Sequence, residues 1–175
     1  VNEFYNNPDK PKGKGVSVSA GVSSFVPKPC TPFQWEPQDT REELKRKQQL
    51  LLETCSTKKI TFRFHNTDLT FLEGVFARGD RRLCDVIETA FKNGCKFDSW
   101  DDKFKFDVWM DAFEECGLST EFYANRRRSY EEILPWDHIN SGIKKSFLIS
   151  ENEKAKKAEI TNHCRQKCAA CGSNS

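Results

Sequence analysis

The fold class of this chain is decided by two short stretches, VSVSAGVSSF at residues 16–25 and ITFRFH at residues 60–65. Valine and serine alternate at the start of the first stretch, and Ile60, Phe62 and Phe64 alternate with polar residues in the second. Strict alternation is typical of a β-strand, because successive side chains of a strand point to opposite faces of the sheet. The sequence therefore predicts two strands, and we expect the first to be buried.

The segment between the two strands predicts a loop followed by a helix. Four prolines between residues 27 and 37 exclude regular structure directly after the first strand. Thr40 and Glu43 have the spacing of a capping box, which predicts a helix from about Arg41 to Glu53. Strand, loop, helix and strand in this order are typical of a parallel sheet, so the predicted fold class is mixed α/β. Because two strands cannot close a sheet, we interpret residues 1–65 as a piece of a larger α/β unit.

Residues 66–160 show the apolar spacing of helices. Three stripes with a period near 3.6 residues follow one another. They consist of Leu69, Leu72, Val75 and Phe76, then of Leu83, Val86, Ile87, Ala90 and Phe91, and then of Phe106, Trp109, Met110, Phe113 and Cys116. Asp80 is the expected N-cap of the second helix. We expect residues 118–150 to be irregular, residues 151–159 to form an exposed polar helix, and residues 161–175 to form a cysteine-rich tail.

The composition excludes several classes of protein. Of 175 residues, 37% are hydrophobic and 12% aromatic, which is enough to build a core and excludes a wholly disordered chain. No apolar run approaches the roughly 18 residues of a transmembrane helix. With 28 Lys and Arg against 26 Asp and Glu, the net charge of +2 does not predict nucleic acid as the main partner. Basic stretches at Lys10, Lys12 and Lys14 and at residues 126–128 keep RNA binding as a weaker alternative.

The eight cysteines indicate a reduced compartment rather than a disulfide framework. Five of them are scattered along the chain, and Cys84 and Cys116 fall within helical patterns, where a free thiol behaves as a small apolar side chain. The other three, Cys164, Cys168 and Cys171, lie together in the tail at the spacing of metal ligands. This combination predicts a cytoplasmic protein.

The tail cysteines are the candidate metal ligands. Thiolates bind zinc and the iron of iron–sulfur clusters, and the spacing allows Cys164, Cys168 and Cys171 to converge on one centre. His163 is a candidate fourth ligand. The sequence leaves open zinc, an iron–sulfur cluster, a fourth ligand elsewhere in the chain, or cysteines that bind no metal.

Candidate substrate-binding residues follow the two strands, because ligands of α/β sheets bind at the carboxyl ends of the strands. In the proline-rich loop, Lys28 and Gln34 suit a polar ligand. Trp35, together with Phe33, suits an apolar wall. His65 stands at the end of the second strand. The alternatives are a loop that only packs over the sheet and a histidine that only makes structural hydrogen bonds.

A further stretch of interest is LPWDHI at residues 134–139. It combines a rigid proline and a large aromatic residue with two titratable side chains, Asp137 and His138. Such a stretch suits a lid over a pocket, and it suits equally well a surface turn packed by Trp136.

Five parts of the chain together resemble one family. They are residues 23–35 (SSFVPKPCTPFQW), 76–82 (FARGDRR), 97–100 (FDSW), 134–139 (LPWDHI) and the tail cysteines. The PKPCTP core of the first part is similar to a loop of the methylthiotransferases. The combination resembles the C-terminal part of the uncharacterised radical S-adenosylmethionine proteins that are fused to an N-terminal cobalamin-binding-like domain. The resemblance spans nearly the whole chain.

The resemblance implies an architecture and an activity. Residues 1–65 would form the end of a (β/α) barrel, residues 66–160 a helical cap on the substrate side, and residues 161–175 a tail with an auxiliary iron–sulfur cluster or zinc. The partner would be a preceding portion of the same polypeptide, with the cobalamin-binding-like domain and the catalytic three-cysteine motif. There a 4Fe–4S cluster and S-adenosylmethionine would supply a 5′-deoxyadenosyl radical that takes hydrogen from a substrate. This chain alone would be inert.

Two other functions stay open at this point. One is a cytoplasmic binding module, in which zinc holds the tail and the basic stretches bind RNA or a protein. The other is a helical interaction domain without metal. Bound iron with sulfide would favour the radical enzyme, zinc alone would favour the binding module, and the absence of both would favour the interaction domain.

Overall fold

The structure is a computed structural model that describes residues 1–11, 13, 15–55, 57–100 and 102–173. Two lysines of the basic start, Lys12 and Lys14, and the last two residues of the predicted tail lie outside the described residues. In chain order the elements are α1 (Asn2–Asn6), β1 (Val18–Val22), α2 (Arg41–Thr54), β2 (Ile60–Phe64), α3 (Thr67–Ala77), α4 (Leu83–Lys92), α5 (Phe106–Glu115), α6 (Thr120–Ala124) and α7 (Lys145–Lys156). The mixed α/β class is confirmed, and helices dominate it.

The strand–loop–helix–strand unit at the start of the chain is confirmed. β1 and β2 pair in parallel, with Val18 opposite Ile60 and Val22 opposite Phe64. The crossover helix α2 begins after Thr40, whose Oγ1 accepts a hydrogen bond from the backbone N–H of Glu43 at 3.3 Å. This N-cap hydrogen bond fixes the start of α2 where the sequence predicts it, while the Glu43 carboxylate accepts hydrogen bonds from Arg46 instead of closing the capping box.

The prediction that the first strand is buried is wrong. All five residues of β1 are exposed or half-buried, and Val18 is 38% exposed. Parallel strands are buried when helices cover both faces of their sheet. Within the described residues the sheet has only these two strands, and no helix makes extensive contact with either of them, so the faces of the sheet are not covered.

The helices α3 to α6 surround the larger of two hydrophobic cores. Its buried residues include Phe71, Leu72, Val75, Leu83, Val86, Ala90, Trp109, Ala112, Phe113 and Tyr123. Most of the predicted apolar stripes point into this core, but Ile87 and Phe91 of α4 stay exposed. Asp80 is not the N-cap of α4, because that position is taken by Arg82, whose backbone N–H donates to Asp80 Oδ1 at 3.0 Å.

The smaller core joins the proline-rich loop to the C-terminal helix. Trp35, Leu134, Trp136 and Leu148 form its buried centre. Leu148 belongs to α7, which begins at Lys145, before the predicted start at residue 151. The helix starts early because its first turns carry the apolar residues that cover the two tryptophans. It is also not fully exposed, since Asn152 is completely buried.

Candidate functional site

A polar cavity with a volume of about 310 Å³ lies beside the smaller core and includes one of the predicted substrate-binding residues. We call it the Gln34 cavity. Its walls come from three parts of the chain, and they include Cys30, Gln34, Trp136, Asp137, Ile139 and Lys145. The volume lies within the range of small-molecule sites, which are typically about 300–1,000 Å³. The cavity therefore brings together the loop after β1 and the LPWDHI stretch, two regions that the sequence identifies separately.

Gln34 is the polar centre of this cavity. Its side chain is almost fully buried, at 4% exposure of the residue. Oε1 accepts hydrogen bonds from Trp136 Nε1 at 2.6 Å and from the backbone N–H of Cys30 at 2.9 Å. Because both neighbours are donors, they fix the orientation of the amide, and Nε2 has no partner among the described residues. Nε2 is therefore a donor available to a ligand.

Cys30 is held in an unusual backbone conformation at the edge of the cavity. Its φ of 57° lies in the left-handed region, which costs a non-glycine residue about 1–2 kcal/mol. The hydrogen bond from its N–H to Gln34 helps to maintain this conformation. The resulting sharp turn of the loop places Cys30 on the cavity wall. Strained residues of this kind are frequent at binding sites.

A carboxylate and an ammonium group complete the polar part of the wall. Asp137 Oδ2 accepts a hydrogen bond from the backbone N–H of Leu134 at 2.9 Å, which closes the turn of the LPWDHI stretch. Lys145 Nζ, in the first turn of α7, is 3.9 Å from the same oxygen. Trp136 and Leu148 supply the apolar side. The cavity thus offers an amide donor, a cation and a carboxylate next to an apolar wall.

The other predicted substrate-binding residues do not line this cavity. Lys28 is exposed and forms an ion pair with Glu73 of α3. Trp35 is fully buried and packs edge-to-face on Tyr130, with ring centroids 4.9 Å apart. His65 is exposed at the end of β2, and its carbonyl accepts a hydrogen bond from Gln48. Of the four predicted residues, only Gln34 lines the cavity.

The three tail cysteines do not converge. Cys164 and Cys168 are exposed and Cys171 is half-buried. Nowhere in the described part of the chain do three or more His, Cys, Asp or Glu side chains stand close enough together to hold a metal ion. His163, the candidate fourth ligand, uses Nδ1 to accept the backbone N–H of Arg165 at 3.1 Å. The three thiolates would have to come closer together to share one metal ion, and metal binding by the tail stays a prediction.

The end of the tail docks beside the Gln34 cavity. The backbone N–H of Lys144 donates to the carbonyl of Cys171 at 2.9 Å. Gly172 has a φ of +103°, and a Cβ on it would stand 2.8 Å from the carbonyl oxygen of Gly142. Only glycine permits this close approach. The segment that receives the tail continues into Lys145 on the cavity wall, so the tail and the cavity are adjacent.

Several of these features were missed at the level of sequence. Residues 118–150 look irregular and therefore give no signal for Lys145, although the apolar residues that follow it indicate an earlier start of α7. The docking of the tail has a weaker signal, the two glycines Gly142 and Gly172. Their mutual approach depends on tertiary structure and has no local pattern.

Two further hollows, of about 380 and 370 Å³, share Asp98 and Trp109 as wall residues. Their remaining walls are mainly apolar and belong to the helical region. Neither contains a residue of the predicted sites.

Comparison of the chain with models of protein families, with curated proteins and with solved structures gave no match. The helices formed by the described residues are all too short or too polar to cross a membrane.

Proposed function

We propose that this chain is the C-terminal part of a radical S-adenosylmethionine enzyme, in which it supplies the end of the (β/α) barrel and the wall of the substrate site. The observation that carries this proposal is the position of the Gln34 cavity. Its loop leaves the carboxyl end of β1, the edge at which α/β enzymes bind their ligands. A site built on this loop suits a cap over a barrel.

The state of the sheet supports the same proposal. β1 and β2 pair in parallel, yet the residues of both strands are exposed or half-buried. Three consecutive leucines of α2, Leu50, Leu51 and Leu52, are also between 36% and 51% exposed. Further strands and helices of a barrel would cover these surfaces. We propose that they come from a preceding portion of the same polypeptide, which also carries a cobalamin-binding-like domain.

The chemistry is divided between the two portions. In enzymes of this class, a reduced iron–sulfur cluster and S-adenosylmethionine supply a 5′-deoxyadenosyl radical. This chain would bind and orient the substrate. Gln34 Nε2 would donate a hydrogen bond to it, and Lys145 would stand near a negatively charged group. Trp136 and Leu148 would exclude water from the apolar side. The parent enzyme would be cytoplasmic, and its tail would hold an auxiliary iron–sulfur cluster or zinc.

The test uses the polypeptide at its natural length, purified without oxygen. With S-adenosylmethionine and a reductant, it should form 5′-deoxyadenosine, whereas residues 1–175 alone should form none. Absence of 5′-deoxyadenosine from the natural-length polypeptide with a full complement of iron and sulfide would overturn the proposal.

A conservative variant tests the cavity itself. Gln34→Glu keeps an acceptor for Trp136 and Cys30 but removes the Nε2 donor. We expect it to weaken the binding of substrate or product without lowering iron content. Gln49→Glu, on the exposed face of α2, is the matched control. Loss of the cluster in Gln34→Glu would instead assign the loop a structural role.

The second candidate function is a zinc-stapled binding module for RNA or protein. The docking of Cys171 beside the Gln34 cavity favours it, because a structural metal would hold the tail in that position. Metal and acid-labile sulfide analysis of anaerobically prepared protein separates the two functions. Zinc without sulfide would favour the module, and iron with sulfide would favour the enzyme.

A further inference from the structure

Four large apolar side chains are exposed close together on the helical region. Ile87 and Phe91 belong to α4, and Phe97 and Trp100 follow in the loop that leads to α5. All four are between 47% and 74% exposed, and the backbone N–H of Trp100 donates to the carbonyl of Phe97 at 3.0 Å. We call these four residues the α4–α5 patch. Single exposed apolar residues are common, whereas a group of large ones around a hollow is typical of an interaction surface.

Two hollows lie side by side at this patch. The first has a volume of about 380 Å³ and lies at α4, and the second has a volume of about 370 Å³ and lies at α3. Asp98 and the buried Trp109 are wall residues of both, so the two hollows are neighbours. The apolar residues in their walls include Ile87, Phe91 and Phe97 in the first hollow and Leu69, Leu72 and Phe76 in the second.

Phe97 is held in an unfavourable backbone conformation while its ring stays 74% exposed. Its φ of 61° lies in the left-handed region, which bulky side chains rarely adopt. The chain thus keeps a strained residue at a position where it does not bury the apolar ring. Strain of this kind is frequent at binding sites and agrees with a surface that a partner covers.

The helical unit that carries the patch is acidic. Residues 83–117 contain nine Asp and Glu against four Lys, a net charge of −5, whereas the whole chain has a net charge of +2. Two of the four lysines form ion pairs with carboxylates of the same unit, Lys92 with Glu88 and Lys103 with Asp102. A partner that carries positive charge beside apolar side chains therefore complements this surface.

The charges in the two walls indicate where the positive group of the partner would lie. The first hollow contains Lys96, whose Nζ is 5.1 Å from the centroid of the Phe91 ring. The second contains Glu73, which pairs with Lys28, and Asp98, which forms no ion pair with a described residue. A cation would therefore be attracted to the second hollow, and the first suits an apolar side chain.

We propose that the α4–α5 patch and its two hollows bind a basic amphipathic helix of a partner protein. Two neighbouring hollows suit two large apolar side chains on one face of a helix, at positions i and i+3 or i+4. None of the wall residues belongs to a strand, so an extended peptide would find no strand edge to pair with. This inference does not depend on the radical-enzyme proposal, because neither hollow shares a residue with the Gln34 cavity.

The experiment titrates the purified protein into fluorescently labelled peptides and measures their anisotropy. The probe is a helical peptide of about 18 residues of Leu and Lys, with Leu at positions i, i+3, i+4 and i+7. One matched peptide has Glu in place of Lys, and another has the Leu and Lys residues in scrambled order. We expect saturable binding of the basic helix, and binding of the other two that is weaker by about tenfold or more. Equal affinity for the three peptides, or no binding of the basic helix, would overturn the proposal.

A variant locates the site. Phe97→Asn removes an exposed ring and places at this position a residue that tolerates the left-handed conformation, so we expect it to fold. It should weaken binding of the basic helix by about tenfold or more, since aromatic anchors contribute most to such interfaces. Ile133→Asn, at a position that is 86% exposed and outside both hollows, is the matched control. Equal affinities of the two variants for the basic helix would contradict the assignment.

Two further measurements test the other occupants of the patch. Sedimentation of the purified protein detects a dimer, and a dimer that Phe97→Asn dissociates would assign the patch to a second copy of the chain. Binding of the neutral dye Nile red without any binding of the basic helix would assign the hollows to a small apolar ligand. Either result would overturn the proposal.

Discussion

The indole Nε1 of Trp136 donates a hydrogen bond to Gln34 Oε1 at 2.6 Å, across 102 positions of sequence. This bond joins the loop after β1 to the LPWDHI stretch and creates the Gln34 cavity between them. Gln34 and Trp136 are both almost fully buried. The turn packed by Trp136 is therefore confirmed for residues 134–139, and the packed tryptophan is also a wall of the cavity. A lid role of this stretch stays a prediction.

The Trp136→Phe variant tests this bond. Phenylalanine has no donor for Gln34 and leaves a void, so we expect a loss of about 1–3 kcal/mol in the free energy of unfolding. Urea denaturation measures it. Trp100→Phe is the control, since Trp100 is 67% exposed and its replacement should change stability by less than about 0.5 kcal/mol. Equal effects of the two variants would contradict the structural role of the bond.

A second prediction concerns the pH dependence of stability. Hydrogen bonds from Arg126, aided by the charges of Arg128 and Arg78, lower the pKa of Glu132. A carboxyl group with a depressed pKa in the folded state stabilises the protein above the pKa of the unfolded state, and this contribution is lost as the pH falls through the folded-state pKa.

The Glu132→Gln variant should therefore lose about 1–2 kcal/mol at pH 7, which is less than the roughly 1.5–3 kcal/mol of hydrogen bonds to charged groups because both side chains are partly exposed to water. Below the folded-state pKa the difference from the unaltered protein should shrink. Urea unfolding at pH 7 and at acid pH measures both values. Glu88→Gln removes an exposed i,i+4 pair with Lys92 and should have almost no effect. A loss of stability in Glu132→Gln that is equal at both pH values would rule out this linkage.

A third prediction concerns the docking of the tail. A Cβ at position 172 would meet the carbonyl oxygen of Gly142 at 2.8 Å, so Gly172→Ala should release Cys171 from Lys144. The thiol of Cys171, which is half-buried, should then react with a thiol reagent about as fast as the exposed Cys164. Gly21→Ala is the control, because a Cβ there meets no atom within 4 Å. Unchanged reactivity of Cys171 in Gly172→Ala would show that the tail does not dock in solution.

A fourth prediction concerns metal. If the tail binds zinc or iron, Cys168→Ala should abolish the bound metal, because it removes the central ligand of the three. Metal analysis by mass spectrometry measures this directly. Cys84→Ala, which removes an exposed thiol outside the tail, should leave the metal content unchanged. Equal metal content in both variants would exclude the tail as the binding site.

Local patterns predict the elements of this fold, and they predict its packing less well. The alternation at Ile60, Phe62 and Phe64 and the capping box at Thr40 depend on near neighbours, so the strands and the start of α2 appear where the sequence places them. The burial of β1 could not be derived in this way, because it depends on what covers the sheet.

The candidate site shows the same division. Gln34 was identifiable because it follows a strand in a stiff loop. The absence of Lys28 from the cavity wall could not be predicted, because it depends on an ion pair with Glu73 across 45 positions of sequence. The burial of Arg128 and its unpaired donors could not be predicted either, because a run of three arginines has the same sequence whether its side chains are exposed or buried.

Arg78 donates hydrogen bonds to the carbonyls of Ala124 and Arg126, and its own carbonyl accepts one from the side chain of Arg128. These hydrogen bonds have a thermodynamic consequence. Arg78 ends a helix of the larger core, while the backbone N–H of Arg128 donates to the carbonyl of Trp35 in the smaller core at 2.9 Å. If one core unfolded alone, the buried guanidinium groups of Arg78 and Arg128 would lose hydrogen-bond partners while the other core stayed folded. The two cores should therefore unfold in a single cooperative transition, and calorimetry should show one heat-absorption peak rather than two.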